Sequence, residues 1–135
     1  MSCIEDLKEK FRQYENTVKT CLPKVNPKLA HEILQLLQKE DAPMYTIEVF
    51  LNTNAHIDEL RDIVARRTGE VATFYDNGTH MVAAHRINLE MLEEISKHDD
   101  VDEIKGTHIT RGTASIGPSF ERTHDDEYWE GQRDN

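Results

Sequence analysis

The chain has 135 residues, 37% hydrophobic and 31% charged, a size and balance that allow one domain with its own core and require neither disulfides nor metal. Its formal net charge is −10, with residues 1–42 balanced and the acidic excess beyond them, so no basic stripe is available to displace counterions and nucleic acid is excluded as a partner. No run approaches the roughly 18 apolar residues of a membrane span, the start has no basic, apolar leader, and Cys3 and Cys21 are too few for a disulfide scaffold. The expectation is a cytoplasmic protein with no membrane partner.

Ser2 and Glu5 have capping-box spacing, and Ile4, Leu7, Phe11, Tyr14, Val18 and Cys21 then recur at steps of three and four, which predicts one amphipathic helix. Both cysteines fall on or beside this stripe and are expected to be packing thiols, quieted by burial. Pro23 ends the helix. Asn26 followed by Pro27 starts a second one carrying Leu29, Ile33, Leu36 and Leu37, so residues 1–42 read as a helical hairpin. Its seam suits packing on its own domain or pairing with a second copy.

After Pro43 the period changes to two, with Tyr45, Ile47, Val49 and Leu51 on one face and Thr46, Glu48 and Phe50 on the other, which predicts a strand. Asn54 is the expected cap of a helix bearing Ile57, Leu60 and Val64, opened by Asp58 and Glu59 and closed by Arg66, Arg67 and Gly69. Strands from Val71 to Tyr75 and from His80 to Ile87 flank Asn77-Gly78, the dipeptide suited to a type I′ turn. Asn88 caps a helix with Leu89, Leu92 and Ile95 inward, and Val101 to Ile109 supplies the last strand.

This β-α-β-β-α-β order over residues 44–109 predicts an α+β, ferredoxin-like sheet with both helices on one face. The other face then needs a cover: the N-terminal helices, a second copy, or a partner protein. From Thr110 the chain turns rich in Gly, Ser, Thr and Pro and then acidic, so residues 110–135 read as an extended tail. It holds Tyr128 and Trp129, the latter a side chain enriched in binding hot spots and equally able to fold back on its own domain.

Several chemistries lack their signature. Gly112 and Gly117 have phosphate-loop spacing, but Pro118-Ser119 stands where a Lys followed by Ser or Thr is required. There is no Gly-x-Ser-x-Gly elbow, and none of the seven histidines lies in a metal-ligand motif. His80 and His85, five apart on one strand, point to opposite faces. A metal site therefore has to join His80 or His85 with His56, His98 or His108 across the sheet edge. The acids Glu90, Glu93, Glu94, Asp99, Asp100, Asp102 and Glu103 read as a solvated face able to steer a basic partner.

The stretch from Ile87 to Ile104, INLEMLEEISKHDDVDEI, resembles the second half of the subtilisin propeptide and peptidase inhibitor I9 family, in which an L-x-x-L helix ends at a His and runs into V-x-x-I on the last strand. Tyr45 to Leu51 looks like that family's first strand and Gly69 to Tyr75 like its second. The resemblance implies a sheet face that docks on a protease and a post-strand segment lying in the substrate cleft as an added strand. Here that segment begins near Lys105 to Arg111, so Lys105, Thr107, His108, Ile109 and Arg111, with Tyr128 and Trp129 of the tail, are the candidate partner-binding residues. The expectation is a non-enzymatic protein-binding module with no catalytic residue, cofactor or metal. The competing readings are a self-associating structural or regulatory domain, hence a homo-oligomer, and histidine-based metal binding.

Overall fold

The computed structural model describes residues 2–39 and 42–109. The tail expected over 110–135, with Arg111, Tyr128, Trp129 and the Gly112 to Gly117 spacing, lies outside the described residues. The Ser2 hydroxyl accepts from the Glu5 N–H at 3.0 Å and opens helix α1, Cys3–Cys21. The Asn26 side chain accepts from the N–H groups of Lys28 (3.0 Å) and Leu29 (3.4 Å) and opens α2, Pro27–Leu36. Then come β1 (Met44–Leu51), α3 (Ile57–Thr68), β2 (Thr73–Tyr75), β3 (His80–Arg86), α4 (Leu89–Ser96) and β4 (Val101–His108). The fold is α+β.

The strands form one sheet in the order β2-β3-β1-β4, every adjacent pair antiparallel. Ile47 stands opposite Ala83 and Gly106, and Val49 opposite Met81 and Ile104. Cross-strand partners share a face, so this register turns Tyr45, Ile47, Val49 and Leu51 to one side with Met81 and Ile104. They form a single core with Leu29, Ala30 and Ile33 of α2, Leu60, Ile63 and Val64 of α3, and Met91, Leu92 and Ile95 of α4. Each large apolar side chain buried there contributes roughly 1.5–3 kcal/mol against chain entropy.

The N-terminal helices therefore do not cover the opposite face. Helix α2 joins the same side as α3 and α4, docked where Gly106 leaves room: a Cβ there would lie 2.9 Å from Ile47 Cδ1 and 3.3 Å from Leu29 Cδ1. Helix α1 buries no residue and meets α2 through Tyr14 Oη and His31 Nδ1, 3.2 Å apart. Between the helices, Lys24 to Asn26 runs parallel to β4, with Asn26 N–H donating to Ile104 O and Ile104 N–H to Lys24 O. That segment closes the middle of the outer edge of β4.

Four local expectations are corrected. Helix α3 starts at Ile57 behind His56 rather than at Asn54, with the N–H of His56, its N-cap residue, held by a distant side chain, Asp100. The β2–β3 hairpin exists, but Tyr75 pairs with His80, so its loop is the four residues Asp76 to Thr79 and not a two-residue turn. Asp76, Asn77 and Gly78 all take positive φ there (54°, 58° and 85°), and a Cβ on Gly78 would fall 2.6 Å from Ile57 Cδ1. The strand before it starts at Thr73, leaving Val71 76% exposed. Finally, Cys3 and Cys21 are exposed, since the α1 stripe is not buried against the body of the chain.

Candidate functional site

The second face of the sheet is built from alternate residues of the strands: Thr46, Glu48 and Phe50 of β1, His80 and Val82 of β3, Thr73 and Tyr75 of β2, and Lys105 and Thr107 of β4. No described helix contributes to it. Its centre is nevertheless closed, with Thr46, Glu48, Phe50, His80 and Val82 all 0–4% exposed. Thr73 and Thr107 at its margins are exposed, and Tyr75, Ala84 and Lys105 are half-buried.

A charged group in the middle of such a face must be paired. Glu48, 0% exposed, lies with its Oε1 3.0 Å from His80 Nε2. The other ring nitrogen of His80 points toward Asp76 Oδ2 at 3.6 Å, and the Phe50 ring stacks on the imidazole with centroids 4.5 Å apart. The positive-φ loop brings Asp76 back over His80. The result is a carboxylate, imidazole, carboxylate line held by three elements.

A second polar cluster joins the start of α3 to the α4–β4 connection. Asp100 Oδ2 accepts from the His56 N–H and lies 2.8 Å from His56 Nδ1. The Asp100 N–H donates to His98 Nδ1 at 3.1 Å, and His98 Nε2 donates to Glu59 Oε1 at 3.0 Å. The backbone N–H of His56, then its ring, hold the Asp100 carboxyl down to about 2, and Asp100 in turn raises the pKa of His56. The cluster caps α3 and ties it to β4.

His85 lies on the opposite, core-side face from His80, as alternation requires. Its Nδ1 donates to Arg86 O at 2.8 Å, while Nε2 is buried without a hydrogen-bond partner. Burial lowers its pKa. Thus His80 pairs with Glu48, His56 and His98 with Asp100, and His108 stacks beside Tyr45 at 5.2 Å. Among the described residues no group of three or more His, Cys, Asp or Glu side chains is arranged to hold a metal ion.

Of the candidate partner-binding residues, Lys105, Thr107 and His108 lie within β4, opposite Glu48, Thr46 and Tyr45. Ile109 follows, its N–H donating to Met44 O as the last rung of the ladder. At this end of the sheet Thr107 is exposed, and His108 and Ile109 are half-buried. Sequence reading missed the Glu48–His80 pair, whose signal was a single acid in an otherwise apolar strand. It also missed Asp100, whose capping role spans 44 residues of sequence. No described helix is long and apolar enough to cross a membrane. Comparisons with protein-family models, curated proteins and solved structures find no match to this chain.

Proposed function

We propose that the chain is a non-enzymatic protein-binding module of ferredoxin-like topology, of the propeptide and inhibitor kind that residues 44–109 resemble. Its partner is a protein of the subtilisin-like protease type, engaged through the backbone leaving β4. Support for the topology comes from the strand order: β1-α3-β2 and β3-α4-β4 each skip one position, filled by a strand from the other unit.

The observation that carries the reading is the contrast between the closed centre of the second face and the exit of β4. Glu48 and His80 are buried and paired, so the middle of that face offers a partner no open cleft. At the exit, Thr107 is exposed and Ile109, the last described residue, is still paired through its N–H to Met44 O. A strand end exposed in this way supplies main-chain donors and acceptors to a cleft that accepts an added strand.

Binding is tested by gel filtration of the full chain with a subtilisin-type protease whose nucleophile has been removed, so that the chain is not cut. The expected result is a one-to-one complex at micromolar concentrations, weakened by Ile109→Asp. Separate elution of the two proteins sinks the proposal.

A further inference from the structure

The stripe of α1 keeps strict heptad spacing over its length, with Ile4, Phe11 and Val18 at a positions and Leu7, Tyr14 and Cys21 at d positions. Only the second half is sheltered. Tyr14 and Val18 are half-buried, whereas Ile4, Leu7 and Phe11 are 57%, 62% and 56% exposed, three of the four large apolar side chains so exposed among the described residues. Beside this stripe runs a groove of about 1060 Å³, walled by Phe11, Tyr14 and Val18 on one side and by Val25 and His31 on the other. Stripe and groove form one apolar surface, half ridge and half trough.

The geometry points to a second copy of this chain as the occupant, with the two α1 helices antiparallel and each first half laid in the groove of the other. A two-fold axis near Phe11 sets Ile4 and Leu7 of one copy over Val18 and Tyr14 of its partner copy, so exposed ridge meets open trough on both sides. The charges agree with this direction. In an antiparallel pair the e positions face each other, which brings Lys8 against Glu15 of the other copy, and Glu15 lines the groove. A parallel pair would instead stack the two half-covered second halves and crowd both domains at one end. The antiparallel pair places them at opposite ends and opposes the helix dipoles. The surface is independent of the exit of β4, so this association does not depend on protease binding.

The test is light scattering of the full chain over a concentration series to about 300 μM, which detects a dimer of micromolar affinity. The mass is expected to rise from 15.6 kDa toward twice that value. Leu7→Glu, at an exposed position that the fold does not need, is expected to weaken dimerisation at least about tenfold. Lys8→Glu and Glu15→Lys each weaken it, and the two together restore it. The native thiols give a second readout. Cys3 and Cys21 are exposed and lie about 27 Å apart along one helix at 1.5 Å per residue. A short bis-maleimide therefore joins Cys3 to Cys21 only between copies. A monomer at all concentrations, a dimer indifferent to Leu7→Glu, or cross-links only between the two Cys21 residues would each overturn the proposal.

Discussion

Replacing His80 with Leu tests whether the closed centre of the second sheet face depends on its ion pair. The substitution leaves the Glu48 carboxylate, 0% exposed, without the imidazole 3.0 Å away. Losing a buried hydrogen bond to a charged group costs about 1.5–3 kcal/mol, and the Phe50 stack is lost as well. Glu48→Leu removes the same hydrogen bond from the other side, at about 1–3 kcal/mol. With both replaced, the shared hydrogen bond is lost only once. The double variant is therefore expected to cost less than the two single losses summed. Urea unfolding followed by far-ultraviolet circular dichroism gives the three free energies of the cycle. Additive costs, or a His80→Leu loss below about 0.5 kcal/mol, the range of an ordinary surface change, would refute the buried-pair account.

Other substitutions probe the supports of the fold. His85 has its pKa lowered by burial, so the stability it contributes is complete above the unfolded value of 6.5 and is lost as pH falls below it. His85→Leu should flatten the difference in urea midpoint between pH 7.5 and pH 5; an unchanged slope would contradict the assignment. Gly106→Ala places a Cβ 2.9 Å from Ile47 Cδ1 and 3.1 Å from Thr46 O, and is expected to cost about 1–3 kcal/mol in the same assay. At the start of α3, Asp100→Ala should lower the melting temperature well beyond Asn54→Ala, since Asp100 and not Asn54 accepts from the N–H of the N-cap residue His56. Equal effects of the two would return the cap to Asn54.

Local rules carried much of the fold. Alternation placed Tyr45, Ile47, Val49 and Leu51 in the core, and Ser2, Asn26, Asn88 and Gly69 cap helices as their side chains or φ angle dictate. The departures arise where a distant residue decides. Asp100 reaches back to His56 and moves the start of α3 past Asn54. The Ile57 side chain packs against the hairpin tip at Gly78, where the loop holds four residues instead of two. The α1 stripe looks the same in sequence whether it is covered by its own domain or by another chain, so neither the exposure of Cys3 and Cys21 nor the half-sheltered groove was legible. For the candidate site, Lys105 to Ile109 were placed at the end of the sheet by pattern alone, whereas Glu48 and His80 needed the β1–β3 register to bring them together.

The central claim is that this chain binds a protease-like protein through the backbone leaving β4. It is tested most directly by titrating an active subtilisin-type protease with the full chain and following cleavage of a small chromogenic peptide. The account predicts saturable inhibition at micromolar or lower concentration, weakened by Ile109→Asp and unaffected by Leu7→Glu on α1. Full protease activity at every concentration would contradict it, as would inhibition indifferent to Ile109→Asp.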